Sequence, residues 1–382
     1  KIASARMNEL AALKRIDFAN MFPQATARLN GNRETTNYGG DNFDADPELS
    51  LTASISWELD LWGNLRWARD HSTAGFLASV ENCRAVKMGL VAQVAQSYFE
   101  LMALDNELAI VRRTLEARRE GVRLAEIRFK GGLTSEIVFQ QAKVELAKTA
   151  TMVPDLERRI SLKESEIALL TGDFPYAVNR NVLPEEIQLP DALPLGLPST
   201  LLERRPDIRK AERELMAAHA EVGLAYTNMF PRLALTATLG AESETLRDLL
   251  KSPYSYLAGN LLSPLFAMGK NRAALKAKRA AYEGAVAEYE KTVLTAFKET
   301  HNAIINFNKI KDIYESRRQL AEASRTAVEL AQLQYINGVI GYLDLLDAQR
   351  NYFDAQVSLS NAVCDKQLMI INLYKALGGG WK

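Results

Sequence analysis

The chain has 382 residues, enough for two or three ordinary domains, and its 47 basic and 47 acidic side chains give a formal net charge of zero. This balance argues against a nucleic-acid partner, which would require a basic excess on one face. No run of about 18 apolar residues occurs, so no transmembrane helix is predicted, although the short alternating strands of a membrane barrel would escape such a search.

The first predicted elements are the end of a helix and two strands. The helix ends before Phe22-Pro23, because a proline disfavours helical geometry in the residue that precedes it. Strands are predicted at 24–33 and 48–60, and in the second strand apolar and mostly small polar residues alternate without interruption. That strand is long for a globular protein and suits a membrane strand of about 9–11 residues with its ends. Its predicted lipid-facing residues are Leu49, Leu51, Ala53, Ile55 and Trp57.

A very long helix is predicted next, at 64–129, where no proline occurs. At about 1.5 Å per residue it would extend roughly 100 Å. Gly131-Gly132 interrupts it, and a return helix is predicted at 134–171. The apolar residues of the long helix recur at steps of three and four, the spacing of a coiled coil. They are Leu90, Val94, Tyr98, Leu101, Leu104, Leu108, Val111, Leu115 and Val122.

The second half of the chain repeats the first. Residues that match at a separation of 206 include Gly63 and Gly269, Arg112 and Arg318, Gly132 and Gly338, and Gly172 and Gly378. We therefore predict a tandem duplication, with a first copy at 1–172, a proline-rich equatorial linker at 173–198 and a second copy at 199–382. The second copy comprises a helix at 199–228, strands at 231–241 and 255–262, a long helix at 270–335 and a return helix at 342–377. The predicted fold is mainly α, with long coiled-coil helical hairpins and a pair of membrane β-hairpins.

The sequence contains no recognisable catalytic or metal-binding constellation. His71, His219 and His301 have no cysteine or carboxylate at metal-ligand spacing, and neither a phosphate-binding loop nor a nucleophile elbow occurs. Cys83 and Cys364 fall at different heights along the helical patterns, so they are predicted to be unpaired thiols. We therefore predict a protein that is not an enzyme and has no cofactor or metal.

Four stretches of the sequence resemble one known family. They are 197–212, with its Arg-Arg-Pro-Asp-Ile core, 335–350, 57–63 and 153–157. On these stretches the chain resembles the outer-membrane efflux protein family, the TolC-like channels. It is most similar to the lipoprotein branch that serves resistance-nodulation-division pumps. The first stretch is highly specific, and the likeness covers essentially the whole chain.

The resemblance implies a homotrimer in the outer membrane of a Gram-negative bacterium. Three protomers would form one 12-stranded β-barrel, and their helices would form a tunnel through the periplasm. The protein would be the passive exit duct of a tripartite multidrug efflux pump, beside a periplasmic adaptor and an inner-membrane resistance-nodulation-division transporter. Because the family pattern starts at a lipid-modified cysteine, we also expect a lipid-anchored N-terminal segment before Lys1.

A candidate channel gate lies just past Asn337-Gly338, which interrupts the helices of the second copy. Asp344 and Asp347 are three residues apart, so they share one helix face, and their counterparts in the first copy are uncharged. The resemblance places these aspartates at the periplasmic constriction, and Tyr335 is the third predicted gate residue. A solvated acidic face is the alternative interpretation. Secretion-type members carry a basic residue near Ile340, and here that position offers no partner for an aspartate.

The ends of the long helices are the predicted adaptor contacts, because they are the exposed tips of the hairpins. The predicted residues are Phe129, Gly131, Gly132, Thr134, Asn337 and Gly338. The run 204–207 is predicted to start a helix, with Pro206 in the first helical position and Asp207 at the positive N-terminus. An adaptor contact is the alternative role for this run.

Two other functions remain open at this point. One is the duct of a protein-secretion system, and the other is a soluble coiled-coil scaffold. Dependence on detergent separates a channel from a scaffold, because the apolar face at 49–57 would need lipid.

Overall fold

The computed structural model describes residues 1–36, 44–180, 202–264 and 268–379, and the side chains of 34–36 and 44–47 are outside that description. The helices are α1 (Ile2–Ala19), α2 (Asn64–Lys130), α3 (Glu136–Thr171), α4 (Pro206–Thr227), α5 (Lys270–Ile336) and α6 (Tyr342–Ala376). The strands are β1 (Gln24–Thr36), β2 (Asp44–Leu59), β3 (Arg232–Ser243) and β4 (Pro253–Leu262). The prediction of a mainly helical chain with a small sheet is confirmed. Most of the predicted linker at 173–198 lies outside the described residues.

Three predicted boundaries need correction. The helix predicted at 199–228 is interrupted near its start: residues 202–204 are helical, Arg205 is not, and α4 begins at Pro206, which has no N–H to donate and disfavours helical geometry at Arg205. The return helix predicted from 134 begins at Glu136, because Ser135 is extended at φ −75° and ψ 157°. Strands β1 and β2 pair over longer stretches than predicted, from Gln24 with Ser56 to Thr36 with Asp44.

The two copies share their turns as well as their helices. Helices α2 and α5 each contain 67 residues. The described glycines with positive φ fall into three pairs separated by 206 residues, and such angles favour glycine because it lacks a Cβ. The pairs are Gly63 and Gly269 at +82° and +79°, Gly132 and Gly338 at +71° and +73°, and Gly172 and Gly378 at +83° and +73°.

The strands form one antiparallel sheet in the order β1-β2-β3-β4. The two hairpins are joined by β2 and β3, which pair from Leu49 opposite Ser243 to Leu59 opposite Leu233. One strand from each copy therefore meets at the centre of the sheet. Among the described strands, the outer edges of β1 and β4 remain unpaired.

The chain divides into two compact units, and each has its own packing. One unit, Lys1–Arg84 with Pro206–Leu294, contains the sheet. The other, Ala85–Arg205 with Thr295–Lys382, contains the principal apolar core. That core comprises Leu101, Leu104, Leu108, Val111, Leu156, Ile160, Ile167 and Val178. All four α2 residues in it belong to the predicted coiled-coil stripe.

Arg205 has a structural role in the second unit. Its side chain is buried, Nη1 donates a hydrogen bond to the Ala376 carbonyl oxygen at 3.1 Å, and Nη2 donates to Glu299 Oε2 at 2.6 Å. The guanidinium therefore satisfies a carbonyl at the end of α6, where a helix leaves its last acceptors without partners. At the start of α4, Asp207 accepts from the Ile208 backbone N–H at 3.0 Å.

In the described part of the chain no helix combines the length and apolar composition needed to cross a bilayer.

Candidate functional site

The two hairpin tips close with the same turn. In the first, the Gly132 N–H donates to Phe129 O at 2.9 Å and the Leu133 N–H donates to Arg128 O at 2.8 Å. In the second, the N–H groups of Gly338 and Val339 donate to the carbonyls of Tyr335 and Gln334 at 3.1 and 2.9 Å. These are the paired hydrogen bonds with which a glycine in left-handed geometry ends a helix.

An apolar side chain projects from each tip. Leu133 is 74% exposed and its counterpart Val339 is 70% exposed. The predicted tip residues Gly131, Gly132, Asn337 and Gly338 are also exposed, whereas Thr134 is half-buried. Phe129 stacks on Phe139 with ring centroids 6.1 Å apart and remains partly exposed. The tips thus offer a partner small polar surfaces around isolated apolar side chains.

Tyr335, which was predicted as a gate residue with Asp344 and Asp347, is buried beside the tips. It is only 6% exposed, and the guanidinium of Arg128 lies over its ring at 4.7 Å from the centroid. The ring of Tyr342 approaches it at 5.8 Å between centroids. Tyr335 therefore packs between the hairpins and is not available to an adaptor.

The predicted gate residues Asp344 and Asp347 are both exposed on one face of α6. Asp344 Oδ2 accepts a hydrogen bond from the Gly341 backbone N–H at 3.0 Å, so its carboxylate also caps the start of α6. Asp347 Oδ2 accepts from Asn351 Nδ2 at 3.2 Å. Asp347 is therefore the carboxylate that is not engaged by the helix N-terminus.

A buried ion cluster connects three helices near the predicted gate residues. Glu145 Oε1 of α3 accepts a hydrogen bond from Arg350 Nη2 of α6, and Glu145 Oε2 lies 3.3 Å from Arg118 Nη1 of α2. The side chains of Arg118 and Glu145 are 7% and 6% exposed, whereas Arg350 is half-exposed. One carboxylate therefore links all three helices, and we call Arg118, Glu145 and Arg350 the ion cluster.

The electrostatics of the ion cluster favour the ionised form of the Glu145 carboxyl group. The hydrogen bond from Arg350 lowers the pKa of the Glu145 carboxyl group, and the charge of Arg118 adds to this effect. Burial lowers the pKa of Arg118, opposed by the charge of Glu145. The carboxylate of Glu145 thus compensates a guanidinium that burial otherwise destabilises.

The ion cluster was not predicted from the sequence, although the sequence carries a signal for it. In α2 the apolar stripe runs from Leu115 to Val122 with Arg118 at the intervening step. In α3 the buried stripe includes Ala142, Glu145 and Thr149. A charge at an apolar position of a stripe requires a buried partner. Spacing alone does not identify Arg350, because that partner comes from a distant helix.

The sheet has one apolar face and one face rich in hydroxyl groups. On β2, Leu51, Ala53, Ile55 and Trp57 are exposed, and Leu49 is half-buried. Their partners continue the apolar face across the sheet, because paired residues point to the same side. These partners are Ala25, Ala27 and Leu29 on β1 and Leu235, Ala237, Leu239 and Ala241 on β3. On the opposite face, Thr26 and Ser54 are hydrogen-bonded at 2.9 Å.

Within the described ranges there is no candidate metal site, since no group of three or more His, Cys, Asp or Glu side chains is placed to hold an ion. Cys83 and Cys364 are free thiols. Burial raises the pKa of Cys364 to about 11, and its Sγ donates to the Phe99 carbonyl oxygen at 3.6 Å.

Duplicated long helical hairpins attached to an amphipathic four-stranded sheet define the class of outer-membrane channels that have a helical tunnel. The profile of the family described as outer membrane efflux protein matches residues 1–173 and 197–379. The solvent efflux pump outer membrane protein SrpC of Pseudomonas putida is 33% identical over 390 residues, which cover 100% of this chain and 82% of SrpC. The outer membrane protein OprJ of Pseudomonas aeruginosa is 33% identical over 381 residues, covering 96% of this chain and 78% of OprJ.

A solved structure of an outer-membrane channel is also similar to this chain. The outer-membrane channel OprN aligns with a TM-score of 0.93 and 30% identity, covering 100% of this chain and 86% of OprN. The chain therefore belongs to the outer membrane efflux protein family. Its members are outer-membrane efflux channels and not enzymes, and the resemblance found in the sequence is confirmed.

Proposed function

We propose that the protein is the passive exit duct of a tripartite efflux pump and carries small molecules from the periplasm to the outside. The observation that carries this proposal is the sheet, whose apolar face suits lipid and whose hydroxyl-bearing face suits a water-filled lumen. SrpC supports export of small molecules, because it is named for solvent efflux. The secretion duct and the scaffold are the less favoured alternatives.

The unpaired edges of β1 and β4 support a homotrimer. Since neighbouring strands in the sheet are antiparallel, β4 of one protomer can pair antiparallel with β1 of the next. Three copies of a four-stranded sheet would then close into a 12-stranded barrel with no free edge. Exposed apolar residues on the long helix α5, such as Leu294, Leu320 and Leu330, would be covered in the same assembly.

The mass of the purified particle tests the trimer. In mild detergent the protein component should have about three times the 42.5 kDa mass of one chain, measured by light scattering with correction for bound detergent. A monodisperse monomer would refute the trimer. Full solubility as a trimer without detergent would instead favour the coiled-coil scaffold.

The partners follow from the exposed tips. The periplasmic adaptor would contact the apolar side chains of Leu133 and Val339 and the backbone around Gly132 and Gly338, and an inner-membrane transporter of the resistance-nodulation-division type would supply energy. The outer membrane lipid would surround the apolar face of the sheet. The lipid anchor stays a prediction.

The two aspartates near the tip would form an acidic ring around the trimer axis. At about 6 Å and an effective dielectric of about 20, two carboxylates repel by roughly 3 kcal/mol, so such a ring attracts cations. Asp347→Asn should weaken cation selectivity in planar bilayers by removing charge alone. Asp344→Asn should also weaken the cap of α6. The double variant should show the largest loss and no block by divalent cations.

Gln141→Asn is the matched control for this prediction, because residue 141 is the counterpart of Asp347 in the first copy and carries no charge. Its selectivity should equal that of the wild type. If the double aspartate variant also keeps the wild-type selectivity and cation block, the aspartates are a solvated helix face and not a gate.

A further inference from the structure

We propose that Arg128 is a positioning residue of the gate, which ties the tip of the first helical hairpin to the tip of the second. This inference rests on the proposed gate at the periplasmic end. Through Arg128, a displacement of the first tip by an adaptor would be passed to the helix that carries Asp344 and Asp347.

Arg128 makes two separate contacts with one residue of the second hairpin. Its Cζ lies 4.7 Å from the centroid of the Tyr335 ring, and its Nη1 donates a hydrogen bond to the Tyr335 carbonyl oxygen at 3.3 Å. Arg128 belongs to the last turn of α2, and Tyr335 belongs to the last turn of α5. A planar guanidinium can stack on a ring and donate to a carbonyl in one geometry, which a lysine ammonium does not reproduce. The pair therefore fixes the ends of two helices against each other.

Tyr335 extends this connection to the start of α6. Its ring lies 5.8 Å from that of Tyr342, the first residue of α6. Tyr342 is half-buried, and the charges of Arg118, Glu145 and Arg350 act on its hydroxyl group. The contacts thus run from Arg128 through Tyr335 to Tyr342, and beyond Tyr342 the link to the ion cluster is electrostatic. Arg350 of that cluster lies one turn after Asp347 on α6.

Arg128 of the first copy contacts the second hairpin, but the duplication did not keep the residues for a reciprocal contact. The counterpart of Tyr335 is Phe129, which is partly exposed, and the counterpart of Arg128 is Gln334. Phe129 directly follows Arg128 and belongs to the first tip. A partner that moves Phe129 therefore moves the adjacent arginine, whereas the second tip has no matching side chain that acts on the first.

The hydroxyl group of Tyr335 contributes little to this contact. Its oxygen is buried and has no hydrogen-bond partner within the described residues. The ring and the backbone carbonyl are what Arg128 engages. Removing the hydroxyl should therefore matter less than removing the ring, which separates stacking from hydrogen bonding in the test.

The experiment measures the ratio of open to closed time of single channels in planar bilayers, using the complete chain. Arg128→Leu should raise this ratio about tenfold, which corresponds to about 1.4 kcal/mol, because the second tip is released from α2. Tyr335→Leu should produce a similar rise, and Tyr335→Phe a clearly smaller one. Arg128→Lys should lie between Arg128→Leu and the wild type.

Lys130→Leu is the matched control. Lys130 lies in the same last turn and carries the same charge, but its 2.8 Å ion pair is with Glu126 of its own helix, so the ratio should stay at the wild-type value. A rise with Lys130→Leu equal to that with Arg128→Leu would assign the effect to lost charge and overturn the inference.

A double variant separates coupling from a local effect on folding. If Arg128 acts through the ion cluster, Arg128→Leu combined with Glu145→Gln should open the channel no more than Glu145→Gln alone. A ratio equal to the product of the two single effects would overturn the coupling. If Glu145→Gln opens the channel and Arg128→Leu does not, the inference fails while the gate stands. If neither variant changes a conducting channel, the proposed gate itself fails.

Discussion

Leu51→Arg should prevent stable insertion of the protein into the outer membrane. Leu51 is exposed on the apolar face of β2, and its partners Leu29 and Ala241 lie on the same face. An arginine there would enter hydrocarbon near the middle of the strand, at a cost of about 2–4 kcal/mol for each protomer. Three protomers would triple this cost in one barrel. The measurement is the fraction of chain recovered in the outer-membrane fraction as a heat-resistant trimer.

Ser50→Arg is the matched control on the adjacent residue. Ser50 points to the opposite face of β2 and pairs with Asn30 and Glu242, so an arginine there would face the lumen near a carboxylate. It should insert at nearly the wild-type level. If both substitutions reduced the inserted trimer equally, the two faces of β2 would not differ in their environment. That result would contradict the proposal that the apolar face contacts lipid.

Glu145→Gln should open the gate and destabilise the periplasmic end of the bundle. Glutamine keeps the shape of the side chain but leaves the buried guanidinium of Arg118 without a counter-charge and beside Arg350. Breaking a buried ion pair on one side costs about 3–5 kcal/mol, and the lower end applies here because Arg350 is half-exposed. We expect a higher ratio of open to closed time and a lower midpoint in thermal unfolding followed by circular dichroism.

Glu157→Gln is the control on the same helix. Glu157 pairs with Arg112 at 2.7 Å, but both side chains are at least half exposed, so the pair should contribute about 0–1 kcal/mol. Equal midpoints and equal open ratios for Glu145→Gln and Glu157→Gln would contradict a stabilising role for the ion cluster.

The lowered pKa of Glu145 also predicts an effect of acid. A carboxyl group with a lower pKa in the folded state stabilises that state fully above its unfolded-state value of 4.5. The stabilisation is lost as the pH falls through the folded-state pKa. The difference in midpoint between the wild type and Glu145→Gln should therefore narrow in strong acid.

Much of the fold follows from local patterns in the sequence. The long helices follow from apolar steps of three and four, and their ends follow from glycines such as Gly132 and Gly338, which adopt positive φ. Strand β2 follows from strict alternation. The start of α4 at Pro206 follows from the chemistry of proline, although the prediction treated 199–228 as one helix without the break at Arg205.

What the sequence did not reveal depends on contacts between distant elements. The pairing of β2 with β3 requires strands from the two copies to meet. The ion cluster requires Glu145 and Arg350 to come from different hairpins, and helical spacing carries no information about that choice. The burial of Tyr335 was missed for the same reason, since Arg128 covers it from another helix.

Conductance in planar lipid bilayers tests the central claim most directly. Purified trimer should produce discrete current steps, short and infrequent for the wild type and long-lived for Glu145→Gln. Such steps require a water-filled path through one particle, which a scaffold cannot provide. A correctly folded and membrane-inserted trimer that gives no current steps, with either the wild-type gate or the Glu145→Gln gate, would contradict an exit duct.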